Sequence, residues 1–565
     1  MPRSRKRSSS AASAYVPTEG SHMRRIIPAI ALLWSLAAFS AAAQPPEPID
    51  PSAQREFVVA FNAVDINFDP HHSIYASEAQ LFTAIYEGLF TYDPSSLEPV
   101  KAACSSWTTS KDGLTYSFTI RDDARWSDGS PLLARDFREA WLRALAPAEK
   151  ADYASFFDII AGAKAYRLGK NADPASVGIS VESDRVLVVK LASPAVYFTR
   201  LLCHHAFSPI HPSMLGLRDW STATSIPVDG AFTIASRSKD EIVLAKNPMY
   251  WDAANVSLPG IRVLLTDDDD KATRLFDNGG IDWLAGPMNL DQLLSRNAIH
   301  AGAMFGTQYW YFDCATKPFD SPDLREALAL LLPWKDIRST DSYLNPAETL
   351  VLPISGYNEA KGISATDEAK ARELLAKSGH PDGAGLPTIS IAIPSGADDA
   401  VRVSALMKSA WEKIGLKVEV TTIPAARYFD AVRRKADGTA YTLSLTTWIG
   451  DFADPLAFLQ MWESDSNLND AHYRDPDFDR LLADSNSLEG AKRFSALAKA
   501  ETRLLQGAAC LPLHFSIALN VIDTDAISGW SENALDIHPF KYLSIGPARI
   551  RPGVVLAPSH QDRGS

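Results

Sequence analysis

Cysteine is scarce in this sequence: 565 residues hold 4, at Cys104, Cys203, Cys314 and Cys510, each far from the next and none in a C-x-x-C pair. Such spacing excludes a zinc knuckle or a thioredoxin-type redox centre, both of which need paired thiolates. The four read as small buried hydrophobes; an oxidising compartment would permit a disulfide, but the sequence assigns no pairing. Basic charge is also short, with 55 Lys and Arg against 68 Asp and Glu and a formal charge of −13. That balance argues against a nucleic-acid partner and a polybasic membrane patch, and leaves a cationic or zwitterionic ligand open. No repeat with a period of about 20–50 residues recurs, which excludes solenoids. Neither a nucleophile elbow nor an H-E-x-x-H helix is present, and His514 and Asp523 have no nucleophile beside them, so an exported hydrolase lacks its machinery. The acidic run Asp267–Asp270 lacks the alternating ligands, central Gly and distal Glu of a calcium loop and reads as a solvated turn.

What is present is a large globular body behind an export segment. Hydrophobic residues make up 46% of the chain and aromatics 10%, and the length exceeds what one core organises, so two or three domains are expected. Arg24-Arg25 precedes an apolar run from Ile26 to Phe39, the small residues Ser40 to Ala43, and then Gln44-Pro45. Basic, then apolar, then small is the order of a secretory signal peptide, here residues 23–43 with cleavage after Ala43. The run is shorter than the roughly 20 residues of a bilayer span, and no Cys follows it to carry a lipid anchor. Residues 1–22 read as a leader, artificial or disordered, ahead of a start at Met23. The mature protein is expected in the periplasm.

Hydrophobic periodicity sketches an α/β order. Phe57–Phe61 reads as a first strand and Glu78–Phe90 as a helix with Leu81, Phe82, Ile85 and Leu89 on one face. Thr115–Ile120 and Arg185–Leu191 alternate as strands, Asp128-Gly129 marks a turn, and Leu132–Leu145 follows Pro131 as a helix. Farther on, helices at Asp323–Leu332, Asp367–Lys377 and Val401–Ile414 and strands at Thr388–Ile393 and Lys417–Val420 suggest βαβ crossovers and a mostly parallel sheet. Asp454-Pro455 is a helix start, an Asp cap with Pro at the first helical position.

From Arg121 to Trp141 the chain runs RDDARWSDGSPLLARDFREAW, where a Ser127-Asp128-Gly129 turn joins strand to helix and Trp126 and Trp141 supply bulk. Other segments follow: YEGLFTYDP at Tyr86–Pro94, KNPMYWD at Lys246–Asp252, GGIDW at Gly279–Trp283, KPFDSPDLREAL at Lys317–Leu328, WIGDFADPLAFL at Trp448–Leu459 and NLNDAHYRDPDFDRLL at Asn467–Leu482. In content and order these resemble the oligopeptide- and dipeptide-binding proteins of ABC importers, the family 5 type of extracellular solute-binding protein, over roughly residues 55–550.

The resemblance implies an α/β, two-lobed periplasmic-binding-protein fold of the large class, with an extra subdomain in lobe I and a ligand cleft between lobes joined by hinge strands. Lobe I would take residues 50–90, 205–305 and 515–553, the inserted subdomain 91–204 and lobe II 306–514, with a disordered tail at 554–565. The function it implies is capture of a short peptide by lobe closure and delivery to an inner-membrane permease, by a monomer that is not an enzyme and carries no cofactor.

The same resemblance points to Asp451 as the site residue, since peptide-binding relatives pair the ligand α-ammonium with an Asp after a Trp, here Trp448-Ile449-Gly450-Asp451-Phe452. A carboxylate buried on closure is a strong acceptor for an ammonium. The alternative for Asp451 is service at the following helix N-terminus, a place that Asp454 already fills. Gly450, Phe452, Trp448, Tyr311 and Trp310 are candidate cleft residues, the aromatics with core packing as an equal alternative. Asn467 and Asn469 are candidate amide donors or turn residues. Where some relatives carry an Arg for the ligand carboxylate, this chain has Leu445; Arg402, Arg427 and Arg433 are substitutes whose default is solvated surface charge.

Rival ligands on the same architecture are a metal chelate, haem, a sugar or an opine, and an exported chaperone or adhesin is a rival role. Cys203, His204, His205 and His211 carry metal-binding groups, but neighbours on a strand point to opposite faces, so no metal site is expected there.

Overall fold

The computed structural model describes residues 55–546 apart from 74, 196, 218–219, 221–224, 340–344, 358–359, 434–439 and 453. The expected leader, the signal segment and the 554–565 tail lie outside the described residues.

A mixed sheet of 11 strands organises the molecule. Its parallel pairs lie toward the two edges. On one side Ile389–Pro394 pairs with Val418–Ile423 and Leu443–Ile449, and on the other Phe57–Phe61 pairs with Gly260–Leu265 and Trp283–Leu284. Between them Ile299–Phe312 and Cys510–Ile522 run antiparallel to each other and to their outer neighbours, which corrects the expected mostly parallel sheet. Short βαβ patterns and the local antiparallel run of Phe232–Arg237, Glu241–Lys246 and Gly260–Leu265 come from neighbouring sequence; the central antiparallel partners, such as Phe312 with Leu443 or Trp283 with Ile522, are far apart in the chain.

These two central strands join the lobes. Ile299–Phe312 has 14 residues, about 45 Å of extended chain, too long for one side of one core. Its register with Cys510–Ile522 shifts between Ala303 and Thr307. Beyond the shift, Trp310, Phe312, Trp411, Leu445 and Leu513 share one core. A larger cluster holds Phe57, Phe82, Trp126 and Trp141 and reaches Tyr309 and Trp462.

A separate antiparallel sheet of 4 strands, Cys104–Thr109, Thr115–Ile120, Val186–Lys190 and Ile179–Ser183, carries the Ser127-Asp128-Gly129 turn beside it. Gly129 takes φ +86°, which costs a side-chain-bearing residue and not glycine. The turn delivers Trp126 and the following helix Ala134–Leu145 delivers Trp141, both fully buried. Trp141 Nε1 donates to the Phe207 carbonyl at 2.9 Å and Trp126 Nε1 to Asp136 Oδ2 at 3.2 Å, so neither polar tip is stranded. Burial of each ring is worth about 4–6 kcal/mol as an upper bound.

Several element boundaries differ from expectation for local reasons. The first helix spans Ala76–Ile85 and stops well before Phe90, which starts the strand Phe90–Tyr92. Asp229 Oδ1 takes the Glu87 N–H at 3.1 Å, pulling the chain out of the helix and turning Glu87 inward. The expected acidic turn at 267–270 instead starts a helix: Asp268 Oδ1 caps Asp269–Asp277 through the Lys271 N–H. Asp454 Oδ1 accepts the Leu456 N–H at 2.9 Å, but Pro455 holds the N-cap position expected of Asp454, and the helix that follows is the short Leu456–Leu459. All four cysteines are free thiols.

Candidate functional site

A cavity of about 330 Å³ lies where Tyr309 and the end of the strand Leu443–Ile449 meet the segments around Tyr86, Tyr153 and His204, within the about 300–1,000 Å³ typical of small-ligand sites. Aromatic rings stand among polar groups in its walls, including those of Tyr75, Tyr92, Tyr153, Tyr309, Phe429 and Trp448. Such walls can hold apolar side chains of varied shape.

Three acidic residues, Glu87, Asp451 and Asp470, line the cavity, and their partners differ. Lys541 Nζ stands 3.1 Å from Glu87 Oε2 and 3.0 Å from the Tyr250 hydroxyl. Tyr250 itself donates to Glu87, as does Trp251 Nε1 at 2.6 Å. Asp470 accepts from Arg433 Nε at 2.9 Å. Burial works against the Arg433 charge, but Asp470 and Asp152 more than restore it and its pKa is raised.

Asp451 has no such cation among the described residues. Oδ1 lies 3.2 Å from His204 Nε2, and Oδ2 is buried without a hydrogen bond. Burial pushes the Asp451 pKa well above the usual carboxylate range and lowers that of His204 to about 3, which keeps the imidazole neutral. An uncompensated buried carboxylate is costly unless a cation arrives.

The local chain explains how Asp451 reaches this place. The strand Leu443–Ile449 ends at Gly450, whose N–H bonds to the Phe305 carbonyl at 2.8 Å. A Cβ at Gly450 would stand 2.6 Å from the Phe305 ring and 2.9 Å from that of Phe458, so only glycine fits between them. Trp448 Nε1 donates to the Ala457 carbonyl at 2.9 Å, folding the following segment back.

Of the expected residues, Asp451, Trp448 and Gly450 line the cavity; the other five do not. Phe452 is buried and stacks on Tyr197 with ring centroids 4.9 Å apart. Trp310 faces the opposite core together with its cross-strand neighbour Leu445, and it is Tyr309, one residue earlier, that meets the cavity. Strand alternation decides this, and an all-aromatic YWYF run gives no pattern from which to choose the face. Tyr311 is buried beside Tyr309, beyond the lining.

Asn469 bonds within its own loop, to the Glu463 and Tyr473 backbone. Asn467 ties that loop to a distant segment: Nδ2 donates to the Ala151 and Asp152 carbonyls at 2.8 and 2.6 Å, and Oδ1 accepts from Ser155 N–H at 2.8 Å. Arg167 Nη2 adds a bond to the Asp465 carbonyl at 2.9 Å.

Of the substitute arginines, Arg402 is held by Asp399 and the carbonyls of residues 336 and 337, and Arg427 is exposed. Arg433 departs from its default, since it is only 17% exposed and lines the cavity. His204 and His205 belong to a turn entering the short helix His205–Phe207, not to a strand, and their rings lie 4.1 Å apart. His211 stands elsewhere, beside Asp128. Tyr92, Tyr153, His204, Arg433 and Lys541 come from separate stretches of chain, which no local spacing could have joined.

A cleft of this kind, between lobes crossed by paired long strands, defines a solute-binding protein. The chain belongs to the bacterial extracellular solute-binding proteins, family 5: the model "family 5 Middle" matches residues 98–470. It is 30% identical over 454 residues to the oligopeptide-binding protein OppA of Bacillus subtilis, covering 76% of this chain and 82% of that one. Among solved structures, Haemophilus influenzae OppA in complex with RPPGFSPFR superposes with a TM-score of 0.79 at 23% identity, covering 87% of this chain and 99% of that one. The unliganded open form of the murein tripeptide-binding protein MppA gives 0.58 at 22% identity, covering 87% and 98%.

Proposed function

We propose that the protein captures short peptides in the periplasm for an ABC importer, holding the peptide's N-terminal ammonium on Asp451. The observation that carries this is the asymmetry among the cavity's acids: Glu87 and Asp470 have basic partners, whereas Asp451 faces a neutral ring. A ligand ammonium supplies the missing charge, and the aromatic walls accept side chains without demanding one shape. Arg433 lines the same cavity but is paired with Asp470, so a ligand carboxylate would share it with that residue, there being no arginine at Leu445.

Capture works by closure and without turnover. With the cleft open, water solvates Asp451; on closure over an empty cavity, the carboxylate loses that water and gains no cation. Ligand therefore favours the closed state by its differential affinity for it, and a permease would recognise that state. The lobe limits are proposed as about 50–90, 205–305 and 515–553 for lobe I, 91–204 for its inserted subdomain and 306–514 for lobe II. The register shift between Ala303 and Thr307 supports the division.

The test is to purify the mature protein, release whatever accompanies it by acid denaturation, and identify it by mass spectrometry. A set of short peptides is expected, each raising the Tm of the wild type and not that of Asp451→Ala. A metal, a sugar or one defined non-peptide ligand, with Asp451→Ala responding like the wild type, would remove peptide capture as the function.

A further inference from the structure

We propose that His204 determines the preference of this site for a cation, by facing Asp451 with a ring that carries no charge. This inference rests on the ammonium reading above and adds a residue to it. His204 is the N-cap of the short helix His205–Phe207, and its Nδ1 accepts the Ala206 N–H at 3.2 Å. A ring nitrogen that accepts holds no proton, so the ring hydrogen belongs on Nε2. Nε2 is the atom 3.2 Å from Asp451 Oδ1. Tyr153, Phe156 and His205 box the ring, with centroids at 4.6, 5.3 and 4.1 Å. Protonating Nδ1 would cost the Ala206 bond inside this box, so the imidazole is held both neutral and oriented.

The chemistry of the partner decides what the carboxylate can do. A lysine or arginine beside Asp451 would cancel its charge before any ligand arrived, as Lys541 does for Glu87 and Arg433 for Asp470. A neutral ring 3.2 Å away brings no positive charge of its own and leaves the carboxylate uncompensated until a ligand arrives. Asp451 follows a strand of the main sheet, whereas His204 comes from the segment after the four-stranded sheet, so the pair is complete only when those two parts are together. His204 is thus a positioning residue that acts through Asp451.

The probes are tri-alanine and N-acetyl-tri-alanine, titrated calorimetrically into the mature chain and into His204→Gln, His204→Leu and His204→Lys. The wild type and His204→Gln, whose amide also donates without charge, should prefer the free amine by about 30-fold or more. His204→Leu should bind the free amine about tenfold more weakly than the wild type, and His204→Lys should bring the ratio of the two probes close to one. Wild-type discrimination in both His204→Leu and His204→Lys would overturn the proposal; if His204→Lys does not fold, His204→Leu alone decides. If the wild type takes neither probe, the peptide reading fails for these ligands, and the ligand-free protein decides the role of His204. There His204→Lys should raise Tm in the wild-type background and not in Asp451→Asn, and equal shifts in both backgrounds would contradict it.

Discussion

In the cavity lining Glu87 sits among Lys541, Tyr250 and Trp251, with a hydrogen bond or an ion pair to each. Asp451, in the same lining, has one oxygen near an uncharged imidazole and the other unbonded. Both side chains are withdrawn from water in the same cavity, so burial alone does not distinguish them. The partners do: the Glu87 network is satisfied and holds the fold, whereas the Asp451 carboxylate lacks a charge that only something from outside can bring.

Breaking the Glu87 network should cost the most. Glu87→Ala strands Lys541 in the interior and is expected to lower stability by about 3–5 kcal/mol, read from denaturant unfolding. The comparison fails if Glu87→Ala is as stable as the wild type. Asp451→Ala should do the reverse, leaving the fold intact while weakening peptide binding by about 2–5 kcal/mol in titration calorimetry.

Acidification sharpens the contrast. Because burial raises the Asp451 pKa in the ligand-free fold, the folded protein favours the protonated group more than the unfolded chain does, whose value is about 3.9. Above that value the ionised carboxylate costs stability, a cost that grows as pH rises toward the raised folded pKa and is absent below the unfolded one. Thermal scans without ligand should therefore find Asp451→Asn more stable than the wild type at neutral pH, with the difference shrinking toward pH 4. Peptide affinity runs the other way, falling in acid as protons compete with the ammonium. A constant Tm difference across that range would sever the carboxylate from the effect.

The smallest effect belongs to Asn467, whose bonds join the 463–470 loop to residues 151–155. Asn467→Ala should weaken peptide binding by about five- to tenfold. Stopped-flow kinetics should find the loss in faster release with association unchanged, and a loss in the association rate would argue against a closing contact.

Much of this was legible in sequence where the signal is local. The Ser127-Asp128-Gly129 turn, the alternating strands and the Trp448–Asp451 motif are short-range features. The family resemblance also pointed to Asp451, which lines the cavity. What was hidden is nonlocal or a matter of faces. Nothing near His204 announces Asp451, and no spacing links Glu87 to Lys541. The choice of Tyr309 over Trp310 turns on one step of strand alternation inside an aromatic run. Asn467 carries the right chemistry for a ligand donor, but its amide is used up on backbone atoms of another segment.

The most direct test is titration calorimetry of a single short peptide, in free-amine and N-acetylated forms, into the wild type and Asp451→Asn at neutral pH. The wild type should bind the free amine at least about 30-fold more tightly than the acetylated form, and Asp451→Asn should bind both equally weakly. Equal affinity of the wild type for the two forms, or an Asp451→Asn variant that still prefers the free amine, would contradict it.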